Sequence, residues 1–374
     1  FFYIKNLNSN AFWSATYNPS GVEPDEYNVI FEPDRAVFFR KDGNIETQTE
    51  VVVSPEHNAE IRRICLINHS QHGRVIEVTS YLEPVLTSLV DDIAHQTFSN
   101  IFIETEFIPE YDALLVKRRS RSTKEKPLWL MHTFTLEGDG IGEPQYETDR
   151  NRFIGRNRDL ASPQVMKSEH PLSNTVGAAL DPIVSIRQRV GISPGGTARL
   201  SYVVAVADSR ESAVSLAREY KNGATTSRAF ELAWTHSQVE MRYLNITAGQ
   251  VNLYQRLASH ILYPGPLQRN KEDIIKQNRK GQSGLWAYGI SGDLPIVLVE
   301  ISKLEHMGLV RQILTAHEYW RFKGLNVDLV LLNEYGSSYE QSVQEQLRDL
   351  ILVSHARDLQ DKPGGVYLRQ ASFI

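Results

Sequence analysis

The residue types best suited to ligand binding lie in a glycine-rich segment just before a continuous apolar run. Residues 281–295 hold four glycines together with Trp286, Tyr288 and Asp293. An aromatic face suits the apolar side of a pyranose ring, and a carboxylate accepts hydrogen bonds from its hydroxyl groups. The segment therefore predicts carbohydrate binding by these three side chains. The alternative is that the glycines permit tight turns while both aromatic rings pack a domain junction.

A second candidate site is an arginine-rich loop. Residues 147–158 contain four arginines and two acids in a stretch without strand alternation. Guanidinium groups suit carboxylates, phosphates and vicinal hydroxyls. We expect Arg152, Arg156 and Arg158 to contact carbohydrate. The alternative is an internal ion-pair latch at a domain interface.

Two groups of neighbouring acids are candidates for a catalytic pair, since glycoside hydrolysis or transfer uses two carboxylates. Glu104 and Glu106 fall on one face of a predicted strand, and Asp91 and Asp92 precede His95. Such acids are more often solvent-facing, so no catalytic residue is assigned. The histidines lack metal-ligand spacing and the single cysteine, Cys65, lacks an activating context, so we predict no metal and no cofactor.

The composition is that of a folded protein without a nucleic-acid partner. The chain has 374 residues, 41% hydrophobic and 23% charged, with a net charge of −5. No basic excess exists to neutralise a phosphate backbone. No apolar run approaches the about 18 residues of a membrane helix, so no direct membrane span is expected.

Short alternating runs separated by turn signals continue to about residue 205. They predict a large antiparallel β-sandwich over residues 1–208, because antiparallel strands follow one another at close spacing. Apolar residues at helical spacing then predict a helical linker over residues 209–265.

The last part, residues 266–374, predicts an α/β domain. Apolar runs at 294–301, 327–333 and 365–369 indicate strands, the first of them buried on both faces, and helical patterns occupy 309–323 and 339–353. This order predicts a parallel βαβαβ unit. The first residues lack an initiator Met and a signal-peptide layout, so we expect a piece of a longer chain.

Several segments resemble the cyclic β-1,2-glucan synthase family, and together they cover nearly the whole chain. They are residues 147–156, 172–177, 180–183, 232–236, 281–299 and 316–321. In that family a long membrane protein joins a glycosyltransferase, a cyclisation module and a C-terminal region similar to glycoside hydrolase family 94 phosphorylases. The chain resembles the first part of that region, including its β-supersandwich.

The resemblance implies β-glucan oligosaccharide and other modules of the parent synthase as partners. It also implies a soluble segment on the cytoplasmic side of an inner-membrane enzyme. The relatives carry their catalytic acid in an (α/α)6 barrel, whereas the last part of this chain predicts βαβαβ. No catalytic residue is therefore carried over.

The sequence is compatible with three functions. The first is a non-catalytic module that supports or binds β-1,2-glucan. The second is a self-contained β-glucoside phosphorylase or hydrolase with a site between the sandwich and the α/β domain, dependent on Asp293 or Glu106. The third is a structural scaffold without a ligand.

Overall fold

The computed structural model describes residues 1–120, 127–263, 265, 272–334 and 340–373. The chain divides into two compact units, Phe1–Val239 and Glu240–Ile374. The predicted linker, residues 209–265, contributes to both units. The predicted boundaries at residues 208 and 265 stay a prediction.

Antiparallel strands build the first unit. β11, β13, β7, β1 and β2 form a five-stranded sheet in that order. β12, β8, β9, β10, β14, β6, β5, β4 and β3 form a nine-stranded sheet. The strands are β1 (Phe2–Asn6), β2 (Ala11–Ser14), β3 (Glu26–Phe31), β4 (Ala36–Asp42), β5 (Ile45–Val53), β6 (Ala59–Asn68), β7 (Arg74–Ser80), β8 (Ile103–Ile108), β9 (Ala113–Arg118), β10 (Trp129–Glu137), β11 (Asp139–Asp149), β12 (Gly177–Ala178), β13 (Pro182–Ile192) and β14 (Thr197–Ala207).

The main core lies between these two sheets. Ile4 and Val78 of the smaller sheet pack in one cluster with Leu66, Leu200 and Tyr202 of the larger sheet, and all five are buried. Alternation along each strand places every second side chain in this layer. The predicted large antiparallel β-sandwich is confirmed.

The first unit also contains helices. They are α1 (Leu89–Asn100), α2 (Arg150–Ile154), α3 (Gln164–Lys167), α4 (Arg210–Tyr220) and the start of α5 (Gly223–Leu244). Helix α4 packs Ala217 and Tyr220 in one cluster with Met131 and Val203 of the nine-stranded sheet. The sequence predicted only strands before residue 205, so α1 was missed. The chain leaves helical geometry at His95, with φ of −152° and ψ of 60°, so α1 consists of two short segments, each too short to give a clear periodic pattern.

Three parallel strands form the sheet of the second unit. Strands β15 (Ile296–Ile301), β16 (Asp328–Asn333) and β17 (Val366–Gln370) lie side by side in this order. The accompanying helices are α6 (Ala248–Leu262), α7 (Glu272–Gln277), α8 (Met307–Phe322) and α9 (Glu340–Leu352). The predicted βαβαβ unit is confirmed for the described part of the chain; residue 339, its predicted helix start, lies outside that part.

One detail of this unit was predicted wrongly. Strand β15 was expected to be buried on both faces, but Ile296 is 39% and Leu298 is 53% exposed. Val297 and Val299, which alternate with them, pack against the helical core. β15 lies at the edge of the described three-stranded sheet, and no described residue covers the face that carries Ile296 and Leu298 well enough to bury them. No helix in the described residues is long and apolar enough to cross a membrane.

Candidate functional site

The glycine-rich segment of the second unit folds as a short 3₁₀ helix, Gln282–Tyr288, that ends at Gly289. Gly289 has φ of 70°, a left-handed conformation that glycine adopts without strain. Leu285, Tyr288 and Ile290 pack against the sheet residues Val330 and Tyr367. This anchors one side of the segment.

Trp286 lies on the other side and is 65% exposed. Its Nε1 donates to the carbonyl of Ser291 at 3.3 Å. Gln282 Nε2 donates to the same carbonyl at 2.9 Å and to Asp293 Oδ1 at 2.8 Å. The structure thus holds an exposed indole and an exposed carboxylate on one segment, joined through Gln282 and Ser291.

Tyr288 packs inside the second unit, and its contact with carbohydrate stays a prediction. The ring belongs to the packed cluster, and the Tyr288 carbonyl accepts hydrogen bonds from Arg369 Nη2 at 2.6 Å and Nε at 2.8 Å. The Tyr288 ring is therefore half-buried within the second unit, whereas the Trp286 ring is mostly in solvent.

The arginine loop of the first unit is fixed by its apolar residues. Phe153 and Ile154 of α2 are buried in a cluster with Tyr3 and Tyr81. The loop's acids serve its own backbone: the buried carboxylate of Glu147 accepts from the backbone N–H groups of Thr148, Asp149 and Ser173 at 3.0, 3.1 and 3.4 Å. These contacts stabilise the loop backbone that carries the arginines.

Three of the loop's arginines are exposed. Arg152 Nη1 donates to Thr175 Oγ1 at 3.0 Å, and Arg158 Nη1 lies 3.5 Å from the carbonyl of Ser162. Arg156 is exposed on the same loop. The fourth, Arg150, makes ion pairs inside the unit, with Glu83 at 3.1 Å and Asp181 at 3.4 Å. The predicted arginines therefore lie on one surface loop of the first unit, and the aromatic–acid group lies in the second.

The candidate catalytic acids form ion pairs or lie at the start of a helix. Glu104 pairs with Lys117 at 3.0 Å and with Arg119 at 3.2 Å. Glu106 pairs with Arg210, and the hydrogen bond from that guanidinium lowers the pKa of Glu106. A carboxyl group with a lowered pKa is a poor general acid. Asp91 and Asp92 lie in the first turn of α1, where their negative charges interact favourably with the positive end of the helix dipole.

A buried serine–histidine pair was not predicted. His132 Nε2 lies 2.8 Å from Ser80 Oγ, and its Nδ1 lies 3.0 Å from the carbonyl of Val203. Ser80 Oγ also accepts from the backbone N–H of Ile186 at 2.9 Å. Both residues are at most 2% exposed, so the pair is a buried hydrogen bond of the sandwich core. The described residues contain no group of three metal-ligating side chains.

This pair makes the stability of the sandwich depend on pH. Burial lowers the pKa of His132 from 6.5 to about 4. Between these two pH values the imidazole is therefore protonated in the unfolded chain and neutral in the folded chain. Stability from neutral His132 is fully present above about pH 6.5 and is lost as the pH falls toward about 4, by up to about 3 kcal/mol.

Urea denaturation at a series of pH values checks this expectation. The free energy of unfolding should fall less in His132→Gln than in the wild type as the pH decreases from 6.5 to about 4. These two values are the ordinary pKa of the imidazole and its pKa in the folded chain. His72→Gln is the matched control, because His72 is exposed. Equal pH slopes in the wild type and His132→Gln would show that another group controls acid stability.

Comparison with known proteins gives one match to the first unit and one to nearly the whole chain. The family model "Glycosyl hydrolase 94, supersandwich domain" matches residues 1–223. The cyclic beta-(1,2)-glucan synthase NdvB of Rhizobium meliloti (strain 1021) is 35% identical to this chain over 363 residues, which are 97% of this chain and 13% of that protein. The match to this synthase therefore runs through both units.

Other relatives share less. The solabiose phosphorylase of Paenibacillus borealis is 24% identical over 59% of this chain and 27% of its own length. Among solved structures, a bacterial glucoamylase in complex with acarbose has a TM-score of 0.41 and 9% identity, covering 65% of this chain and 31% of that chain. The chain spans 13% of the synthase and 27% of the phosphorylase that it matches.

Proposed function

The chain belongs to the glycosyl hydrolase 94 supersandwich family, and from this premise we propose that it is a non-catalytic, carbohydrate-binding module that recognises β-1,2-glucan. The choice of glucan follows from the 35% identity with a cyclic β-1,2-glucan synthase, which also confirms the predicted resemblance. The catalytic steps then belong to other modules of a longer synthase, which are the partners of this one.

The observation that carries the proposal is the exposed indole of Trp286 beside Asp293. An indole that is 65% exposed leaves a large apolar surface in water, and covering that surface with the C–H face of a sugar is favourable. Hydrogen bonds from Trp286 and Gln282 to Ser291 fix the segment before the ligand arrives. Such preorganisation lowers the entropic cost of binding.

The arginines of the first unit give the proposal a second contact region. Arg152, Arg156 and Arg158 offer exposed guanidinium donors to hydroxyl groups along a glucan chain. The absence of catalysis is supported by the ion pairs that engage Glu104 and Glu106, which leave neither acid positioned as a proton donor.

Loss of the indole tests the proposal directly. Trp286→Ala is expected to weaken binding of linear β-1,2-glucan by at least about tenfold, or about 1.4 kcal/mol, in calorimetric titration. Trp234→Ala is the matched control, since Trp234 is also exposed, at 52%, but lies outside the segment. Unchanged affinity in Trp286→Ala, or an equal loss in both variants, would remove the segment from the binding site.

A further inference from the structure

A cavity of about 420 Å³ lies in the sandwich unit beside a wide bulge in the edge strand β11. Ile141 pairs with Arg189 and Gln145 pairs with Arg187, so residues 142–144 stand opposite the single residue Gln188. Gly142 has φ of 70°, and Pro144 has no N–H to offer a partner strand. The sequence thus builds this bulge, a feature that often adjoins functional sites.

Gln188 stands at the bulge with its side-chain amide fixed. The residue is 4% exposed, and its Nε2 donates to the carbonyl of Gly142 at 3.4 Å and to that of Arg189 at 2.9 Å. Because both amide N–H groups are used, Oε1 is the polar atom of this side chain left to serve a ligand. Phe134 and Leu136 are the large apolar residues among those that line the cavity.

An ion pair forms part of the lining. Lys221 donates to the carboxylate of Asp112, and its Nζ lies 5.0 Å from the centroid of the Phe134 ring. Asp112 has φ of 46°, a left-handed backbone that costs a non-glycine residue about 1 kcal/mol or more. Asp112 ends the 3₁₀ turn Pro109–Tyr111, a position where aspartate adopts this conformation, and the turn places its carboxylate beside Lys221 in the lining of the cavity.

We propose that this cavity binds one neutral hexose unit of an oligosaccharide. Its volume falls within the about 300–1,000 Å³ of small-molecule pockets. Lys221 neutralises Asp112, and Arg199 pairs with the lining residue Glu137 at 2.7 Å. The lining therefore carries no net charge that would favour a charged ligand.

The remaining chemistry matches hydroxyl groups. Asp112 and Gln188 supply acceptors and Lys221 supplies donors, while Phe134 and Leu136 face the apolar side of the ring. The site belongs to the first unit and uses none of the residues around Trp286. It is therefore additional to the proposed function and does not depend on it.

Methyl NMR of the full chain tests the site with linear β-1,2-glucan as the probe. The Leu136 methyl groups report on the cavity, and those of Leu285 report on the Trp286 segment. Gly223→Gln is designed to fill the mouth of the cavity: a Cβ at Gly223 would meet only Glu137 Oε1, at 3.7 Å. Gly249→Gln is the control, since a Cβ there meets only Thr247 Oγ1, at 3.9 Å, in helix α6.

Glucan at up to about 10 mM should shift the Leu136 signals saturably in the wild type, Gly249→Gln and Trp286→Ala. Gly223→Gln should weaken this response at least about tenfold. If Gly223→Gln fails to fold, Lys221→Met, which removes the ammonium donor, is expected to give the same loss.

Leu136 signals that do not move, or that move equally in the folded blocking variant, would overturn the cavity site. A missing Leu285 response alone would count against the Trp286 segment and leave the cavity standing.

Discussion

Replacing Glu77 with glutamine is expected to destabilise the sandwich unit by about 3–5 kcal/mol, because it leaves buried arginine charge without a carboxylate. Glu77 is 2% exposed and pairs through Oε1 with Arg187 at 3.2 Å and through Oε2 with Arg189 at 2.9 Å. Lys5, also 2% exposed, stands directly across from Glu77 on β1. The variant therefore leaves three basic groups around a neutral amide.

Helix α3 and the residue that follows it pack over this cluster. Arg187 Nη2 donates to the carbonyl of Val165 at 3.0 Å, and Lys5 Nζ donates to that of Ser168 at 3.2 Å. Loss of Glu77 is therefore expected to loosen residues 163–168 as well as the sheet. Hydrogen exchange of peptides from this segment and from β13, together with urea denaturation, measures both effects.

Glu56→Gln is the matched control for charge removal. Glu56 pairs with Arg228 at 2.8 Å, but the two side chains are 43% and 63% exposed. Exposed pairs contribute about 0–1 kcal/mol, so this variant should unfold nearly like the wild type. A loss below about 1 kcal/mol in Glu77→Gln would mean that the cluster is solvated.

Replacing Gly365 with alanine is expected to destabilise the second unit by at least about 1–3 kcal/mol. This is the usual cost of adding a carbon atom to a core that is already fully packed. A Cβ at this position would lie 1.9 Å from the carbonyl oxygen of Leu359 and 2.9 Å from that of Lys362. Both obstacles are backbone atoms, so no side-chain rotation relieves them. Gly365 also accepts from the backbone N–H of Leu329, so a shift would break the sheet at β16.

Gly308→Ala is the control for this change. No atom lies within 4 Å of a Cβ at Gly308, and alanine favours helix α8 by up to about 1 kcal/mol. Hydrogen exchange of β16 and β17 peptides should rise in Gly365→Ala and stay unchanged in Gly308→Ala. Unaltered protection in both variants would show that the turn before β17 yields easily.

The sequence predicted both architectures because alternation and continuous apolar runs report the two kinds of sheet directly. It could not predict the Glu77 cluster. Alternation along β7 and β13 separates two faces but does not tell whether a distant segment covers the polar one. The outward-facing Tyr3 and Tyr81, now seen packed with Phe153, were the available sign that this face is covered.

The candidate site was predictable in composition but not in orientation. Spacing placed Trp286, Tyr288 and Asp293 on one segment, yet only the contacts with Val330 and Tyr367 show that Tyr288 faces inward and Trp286 outward. The cavity beside Gln188 depends on strand register between β11 and β13. Gly142 and Pro144 hinted at irregularity there, but the partner residue is fixed only by the fold.

The most direct test of the central claim is calorimetric titration of the wild-type chain with linear β-1,2-glucan. The proposed function predicts a saturable binding isotherm with recovery of intact glucan afterwards, because the chain binds the polymer without cleaving it. The absence of any binding heat up to about 10 mM, or shortened glucan in the recovered sample, would contradict it.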